Sequence, residues 1–303
     1  MGQGKHFIVG SKSGAVSTKQ LENAINMLCD AHPRSKFTDY REKSKKGRMP
    51  SDLNAVIQLL LKKEVDIVVA DLHELPLKLR SELELAAVIE RGNPFNVLIS
   101  GNELILDDQP DEACIAVVNS IIKGQLLYYR SDLSFVEDSS NFERLNSRMD
   151  GGEVSGFVMP AFDIEVLNQQ EKVTEVFTSS ICMPEAGQGA WGFIIRSDDK
   201  DARIGVRDLN HSPSFAEINL ERMFLRAVLG NGKGPVGVLS NVEENEFQIE
   251  AAVISPDGAR KIVSTVRGWS GEEIKIVGKL ADELLSSGGE DIIKSYKGSR
   301  EVN

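Results

Sequence analysis

Acidic side chains that follow an apolar, strand-like run are the first groups in this sequence that could do chemistry. Residues 65–70 are rich in β-branched side chains, which predicts a short buried strand. Asp66, Asp71 and Glu74 are expected to cluster at the end of this strand. Ligands of open α/β sheets bind outside the carboxyl ends of strands, where a carboxylate could do acid–base work. Capping or solvation of these acids before Pro76 explains the same pattern equally well.

Histidine and cysteine side chains are the next candidates. His73 and His211 could be acid–base groups because imidazole titrates near neutral pH, although surface and structural histidines are commoner. The three cysteines (Cys29, Cys114 and Cys182) are too widely spaced for a CxxC pair or a disulfide framework, and scattered histidines predict no metal site. Cys182 could be a nucleophile, but no Cys–His pairing is visible. A buried structural thiol is therefore favoured.

Three segments invite a phosphate or nucleotide interpretation, and none supports it. Residues 187–192 match GxGxxG, but they are followed by a strand-like run rather than a helix, which favours a tight interdomain turn. Residues 230–235 lie between a helix and a strand, the wrong order for a phosphate-binding loop. They indicate either a loop with positive φ angles or a close approach of backbone to ligand. The basic residues 41–48 predict a solvated loop.

Charge and hydropathy restrict the class of partner. The 303 residues include 35 Lys+Arg and 46 Asp+Glu, a net charge of −11. This balance disfavours a nucleic-acid partner, and polyanionic ligands would need a local basic pocket. No apolar run approaches the roughly 18 residues that span a bilayer, so no membrane partner is expected. The N-terminus has no signal-peptide pattern, which makes a cytoplasmic location the default expectation.

Alternating strand and helix patterns predict an α/β fold with a small additional domain. The predicted first lobe has strands at 7–10, 36–40, 65–70 and 83–89, with helices over 17–31 and 51–63. A strand at 96–100 crosses towards the second lobe, which has helices near 111–119 and 141–150 and strands near 125–129 and 156–159. A strand at 192–195, a helix at 214–229, strands near 236–239, 247–254 and 261–267, and a helix at 272–287 follow.

Several segments carry a resemblance that runs along nearly the whole chain. Residues 65–76 are similar to the motif ADIAVHSMKDVP, and residues 183–190 are similar to LPAxGQGA. Residues 209–211 match LNH, and residues 220–222 (LER) resemble the AER that opens a helix. Further matches lie at 8–13, 90–94 and 254–258. In this order and spacing, the segments resemble the hydroxymethylbilane synthase (porphobilinogen deaminase) family.

The resemblance implies a fold class and an activity. The fold would be α/β, with two periplasmic-binding-protein-like lobes plus a small C-terminal α+β domain. Lobe 1 would comprise residues 1–98 plus about 186–212, lobe 2 residues 99–185, and domain 3 residues 213–303. The family makes hydroxymethylbilane in tetrapyrrole (porphyrin) biosynthesis. This transferase links four porphobilinogen units, releases ammonia each time, and tethers the growing chain to a dipyrromethane cofactor on a cysteine of domain 3.

The departures from the family fall on the chemical positions. A gapless count from Glu221 places the cofactor cysteine at Gly232, which has no sulfur, and leaves Lys233 as the nearby nucleophile. No dipyrromethane cofactor is therefore expected. The essential aspartate becomes Glu74, the candidate catalytic residue, and the lysine before it becomes His73. One extra methylene shifts the Glu74 carboxylate in a site that tolerates little misplacement.

The substrate-binding positions have lost most of their positive charge. Arginines of the family fall near Ser11, Val136, Glu137 and Glu165. A tetrapyrrole chain bears about a dozen carboxylates that need Arg or Lys contacts, so the elongation chemistry is expected to be lost. The family's basic, glycine-rich active-site loop is also largely absent. The resemblance assigns substrate binding to Ser11, Lys12, Ser13, His73, Lys123, Arg144 and Gln188.

Three hypotheses remain open from the sequence. The first is a degenerate, monomeric homologue that binds a small molecule, such as porphobilinogen or a related pyrrole, in the interlobe cleft or has a regulatory role. The second is an active deaminase with an atypical cofactor attachment through Lys233, although an exposed lysine is mostly protonated at neutral pH. The third is a two-lobe binding protein for an unrelated small ligand, closing by hinge motion.

Overall fold

A computed structural model describes residues 4–44 and 47–301, with side chains as far as residue 296. The strands are β1 (His6–Gly10), β2 (Lys36–Asp39), β3 (Ile67–Asp71), β4 (Leu83–Val88), β5 (Asn96–Ser100), β6 (Cys114–Val117), β7 (Ser134–Glu137), β8 (Gly156–Pro160), β9 (Glu175–Val176), β10 (Trp191–Arg196), β11 (Val236–Glu243), β12 (Glu246–Ile254) and β13 (Lys261–Trp269). The helices are α1 (Ala15–Ala31), α2 (Tyr40–Lys43), α3 (Leu53–Leu61), α4 (Ser120–Tyr129), α5 (Phe142–Asp150), α6 (Ala161–Val166), α7 (Lys200–Arg207), α8 (Ser212–Leu229), α9 (Glu273–Leu284) and α10 (Glu290–Glu301). Over these described residues, no helix is both long enough and apolar enough to cross a membrane.

The chain divides into two compact units. The first unit holds the residues up to Gly92 together with Ala190–Ala216, and the second unit holds Asn93–Gly189 and the chain from Glu217 onwards. One boundary falls inside the glycine-rich segment 187–192, in agreement with the turn predicted there. The three predicted domains stay a prediction, because the second and third of them lie together in the second unit.

The sheet of the first unit has the strand order β2-β1-β3-β10-β4. Strand β1 pairs in parallel with β2 and β3, while β10 runs antiparallel to β3 and β4. All residues of β3 are buried, as expected for a central strand covered on both faces. Helix α1 buries Leu21, Ala24 and Leu28, which recur at helical spacing as predicted.

The second unit contains two sheets. The first has the order β7-β6-β8-β5-β9, in which β6 is parallel to β7 and β8 and β5 is antiparallel to its neighbours. The second is an antiparallel β11-β12-β13 sheet. Phe247 and Ile249 on β12 share a core with Phe224 of α8 and Leu280 of α9. Two α/β sheets and a small C-terminal α+β sheet confirm the predicted fold class.

The stretch from residue 111 to residue 129 corrects the sequence prediction. A helix near 111–119 and a strand near 125–129 were expected, but the structure has β6 at Cys114–Val117 and α4 at Ser120–Tyr129. The side chain of Asn119 accepts hydrogen bonds from the backbone N–H groups of Ile121 and Ile122, both at 3.0 Å, and so begins the helix. The short apolar run of β6 was expected in a helix, although it forms a strand.

Arg196, at the end of β10, is the main polar anchor of the first unit. Its guanidinium donates to the backbone carbonyls of Leu60 at 3.0 Å and Val65 at 2.7 Å. It also pairs with Asp66 at 3.1 Å and Asp199 at 2.5 Å. Asp199 in turn caps the start of α7, a helix that the sequence patterns did not predict. Arg196 is 8% exposed, so its guanidinium is buried, while the carboxylates of Asp66 and Asp199 are half-buried.

The same network corrects the predicted acidic cluster. Asp66 immediately precedes β3, and its carboxylate accepts a hydrogen bond at 2.8 Å from the backbone N–H of Ile8. Asp71 ends the same strand, so five residues at about 3.3 Å each separate the two carboxylates. Asp66 is therefore a structural acid at the amino end of β3. The expected cluster at the carboxyl end is reduced to Asp71 and Glu74.

We expect Arg196→Met to destabilise the first unit by about 3–5 kcal/mol, because it leaves two buried or half-buried carboxylates without their cation. Urea denaturation followed by circular dichroism measures this loss. Arg207→Met is the matched control, since that side chain is 71% exposed and its removal should leave the midpoint unchanged. Equal midpoints for the two variants would show that the Arg196 network is not a main stabilising feature.

Candidate functional site

The carboxyl ends of β1 and β3 bring several predicted site residues to one edge of the first unit's sheet. Strand β1 ends at Gly10 and β3 ends at Asp71, and the two strands are parallel neighbours. Polar residues follow both strands, at the edge where open α/β sheets bind ligands. We call this group the strand-end cluster; it comprises Ser11, Lys12, Ser13, Asp71, His73 and Glu74.

Glu74, the predicted catalytic residue, is held by an ion pair. The ammonium of Lys12 donates to its carboxylate, and both side chains are about one-quarter exposed. His73 Nε2 lies 3.8 Å from the same carboxylate oxygen. Ion pairs with this much solvent contact are worth less than about 1 kcal/mol, so a ligand of modest affinity can displace Lys12. The cluster thus presents both a cation and an anion.

Asp71 is the most buried acid of the cluster. It is 8% exposed, and Gln20 Nε2 donates to its Oδ1 at 2.5 Å. Burial raises the pKa of Asp71, while the positive charges of His73 and Lys12 and the Gln20 hydrogen bond oppose this rise. Sequence reasoning missed Gln20. Its signal was a polar residue beside the apolar positions of α1, where it is 1% exposed.

Ser11 and Ser13 have different surroundings. The Ser11 hydroxyl is within hydrogen-bond distance of the carbonyls of Lys12 at 3.0 Å and Ser17 at 3.2 Å, and the residue is buried. Ser13 is exposed, and its backbone N–H donates to Pro50. Ser11 therefore shapes the turn between β1 and α1, whereas Ser13 leaves its hydroxyl towards solvent.

The predicted substrate-binding residues of the second unit lie in three separate settings. Lys123 on α4 is 3.9 Å from a carboxylate oxygen of Glu137, and Arg144 on α5 is exposed. Gln188 is buried, and its side-chain amide donates to the carbonyl of Pro94 at 2.7 Å and to Asn96 at 3.1 Å. Gln188 thus stabilises a turn, and its role toward a substrate stays a prediction.

The GQGA and AER-like motifs meet in the interior of the second unit. The fully buried carboxylate of Glu221 accepts hydrogen bonds from the backbone N–H groups of Gly187 at 2.7 Å and Ser240 at 2.9 Å. Gly189 has φ 78°, and a Cβ there would lie 2.8 Å from the carbonyl oxygen of Asn93. Only glycine meets both demands. In the structure, these motifs therefore stabilise the fold of the second unit.

Residues 230–235, to which the gapless count from Glu221 assigns the cofactor position, form a loop that follows α8 and precedes β11. Gly230 has φ 65°, the N–H of Gly232 donates to the carbonyl of Leu229, and Lys233 is exposed. No thiol is present in this segment. The residues of the loop therefore do not fit a dipyrromethane group attached by a thioether. The basic segment 41–48 contributes Arg41, paired with Asp39, while residues 45 and 46 lie outside the described residues.

The cysteines differ in accessibility. Cys182 is fully buried beside Asn96, and burial raises the pKa of its thiol to about 12. This supports the buried structural thiol favoured from the sequence. Cys114 is half-buried and Cys29 is exposed on α1. Within residues 4–44 and 47–301, no group of three or more His, Cys, Asp or Glu side chains is placed to hold a metal ion.

We expect iodoacetamide at pH 8 to modify Cys29 and to leave Cys182 unmodified. A pKa of about 12 leaves on the order of one Cys182 thiol in ten thousand ionised at that pH, and only the thiolate is nucleophilic. Peptide mass mapping after a timed reaction measures the difference. In urea, both cysteines should react alike, which serves as the control. Equal labelling rates in the folded protein would contradict the burial of Cys182.

Comparisons with known proteins identify relatives of this chain. A family model described as "Porphobilinogen deaminase, dipyromethane cofactor binding domain" matches residues 9–204, and one described as "Porphobilinogen deaminase, C-terminal domain" matches residues 215–286. Porphobilinogen deaminase of Pelotomaculum thermopropionicum is 32% identical over 82% of this chain and 79% of its own. The Carboxydothermus hydrogenoformans protein of that name is 28% identical over 97% of this chain and 98% of its own.

Among solved structures, a TRAP periplasmic solute binding protein from Desulfovibrio salexigens aligns with a TM-score of 0.43 and 11% identity, over 68% of this chain and 72% of that one. The chain belongs to the porphobilinogen deaminase family of tetrapyrrole biosynthesis.

Proposed function

We propose that this chain is a member of the porphobilinogen deaminase family that binds a single pyrrole, such as porphobilinogen, and does not elongate it. The observation that carries the proposal is Gly232 at the cofactor position, in a loop without sulfur. Without a thioether, a dipyrromethane primer has no attachment there. The protein would then act in tetrapyrrole metabolism by binding or regulation.

The distribution of charge supports the same conclusion. An elongating chain with its cofactor carries about a dozen carboxylates, each best paired with Arg or Lys. Here Lys123 faces Glu137, and Arg148 is paired with both Asp138 and Glu153. Each desolvated carboxylate without a partner would cost on the order of a few kcal/mol. A long polycarboxylate is therefore a poor ligand for this chain.

A single pyrrole is a better match to the strand-end cluster. Porphobilinogen carries two carboxylates, a pyrrole N–H and an aminomethyl group that is positively charged at neutral pH. The Lys12 ammonium, already paired with Glu74, can also face a ligand carboxylate, and the buried acid Asp71 suits the N–H and ammonium groups. The cluster is small and of mixed sign, as a zwitterionic ligand requires.

We expect freshly purified protein to have the mass of the unmodified polypeptide and to leave porphobilinogen unconsumed. Porphobilinogen at about 100 times its Kd should nevertheless stabilise the fold by about 2.7 kcal/mol, measured as a raised unfolding midpoint. An unrelated dicarboxylic acid at equal concentration is the control and should give no such shift. A mass increase from a covalently bound pyrrole, or conversion of porphobilinogen to hydroxymethylbilane, would contradict the proposal.

Gly232→Cys tests the sulfur and the cations separately. We expect the variant to gain a reactive thiol and to remain without turnover, because the cationic side chains that a growing polycarboxylate needs are still missing. Enzymatic assay and intact mass after incubation with porphobilinogen measure both outcomes. Asn231→Cys, one position earlier in the same loop, controls for a new thiol as such. Turnover by Gly232→Cys alone would show that the remaining cations suffice.

A further inference from the structure

Asp71 has one carboxylate oxygen that the protein leaves free. Gln20 occupies Oδ1, and no described residue donates to Oδ2. Among the described residues, the one fully buried side-chain nitrogen or oxygen without a partner is His32 Nε2. Asp71 Oδ2 is therefore in contact with solvent, although the residue as a whole is 8% exposed. The carboxylate of Asp71 is thus held in place by the protein at Oδ1 and can accept a hydrogen bond from a ligand at Oδ2.

Glu74 also has one carboxylate oxygen, Oε2, that accepts from no described residue, but it differs from Asp71 in its exposure and in its ion pair. Its carboxylate is already engaged by the Lys12 ammonium, with His73 3.8 Å from the same oxygen. A ligand must displace Lys12 before it can use that oxygen. The side chain is also about 29% exposed, so water competes for whatever contact it makes.

We propose that Asp71, and not Glu74, is the carboxyl group of the first unit that contacts the ligand, accepting a hydrogen bond from a pyrrole N–H or an alkylammonium group. This inference rests on the proposed function, since it names the residue that reads the nitrogen groups of the bound pyrrole. Glu74 and Lys12 then neutralise each other and set the charge of the surroundings.

Gln20 acts as a positioning residue for this contact. It extends from α1, is itself 1% exposed, and holds Oδ1 at 2.5 Å, so the carboxylate plane is oriented before a ligand arrives. Binding then costs little side-chain entropy. A ligand without an N–H donor leaves a desolvated acceptor unpaired, which is the physical basis of strong discrimination.

The contact also carries a pH dependence. Burial raises the pKa of Asp71, and an N–H donor binds the ionised carboxylate more tightly than the neutral acid, so binding favours release of a proton where free Asp71 is protonated. Affinity should therefore rise with pH through the titration of Asp71. His73, Glu74 and Lys12 are the charged and titratable groups that act on the Asp71 carboxyl. His73→Gln separates its contribution.

Calorimetric Kd values for porphobilinogen at pH 5.5–8 test the inference with Asp71→Asn and the matched variant Glu74→Gln. We expect Asp71→Asn to weaken binding about tenfold or more and to abolish the rise of affinity with pH. Glu74→Gln should change Kd by less than about threefold and keep the rise. The same rise should persist in His73→Gln. Asp71→Ser is the second variant should Asp71→Asn unfold.

The outcomes separate this inference from the proposed function. Wild-type affinity in Asp71→Asn, loss of binding in Glu74→Gln, or affinity that falls as pH rises would overturn the role of Asp71 and leave a non-elongating pyrrole binder intact. Consumption of porphobilinogen by the wild-type protein would overturn the proposed function instead. The absence of any heat of binding or thermal stabilisation by porphobilinogen would overturn both.

Discussion

The parallel pairing of β1 and β3 is the constraint on which the candidate site depends. Because both strands end at the same sheet edge, the turn after β1 supplies Lys12 and the turn after β3 supplies Glu74, 62 residues later. At the other end of β3, Arg196 holds Asp66 and two backbone carbonyls. Strand pairing at one end and a buried cation at the other therefore give the strand-end cluster a rigid base.

Carboxylates serve two different purposes in this protein. Glu221 is fully buried and receives backbone N–H groups from a glycine turn and a strand, so any chain that keeps this backbone needs an acceptor there. The side chain of Asp71, by contrast, accepts its hydrogen bond from the side chain of Gln20 and from no backbone N–H group among the described residues. An acid that satisfies backbone groups is therefore tied to the fold, whereas an acid paired only with side chains can change without disturbing the backbone.

The spacing of apolar residues along the sequence predicted most of the helices and strands. It failed where the apolar runs were short. The strands that begin at His6 and Asn96 and the helix that begins at Ala15 lie where they were expected. Residues 111–129 were assigned in the wrong order, because four apolar residues fit a strand or a helix turn equally well. There the helix start depends on one side chain, Asn119, whose capping bonds are visible only in three dimensions.

The sequence alone determined the fold class, the family resemblance and the absence of cysteine from residues 230–235, because each depends on residue type and on order along the chain. Only the tertiary structure decided which charges meet. It separated Asp66 from Asp71, paired Lys12 with Glu74, and brought Gln20 to Asp71. Such contacts arise from strand register and from the depth of burial, and spacing in the sequence encodes neither of them.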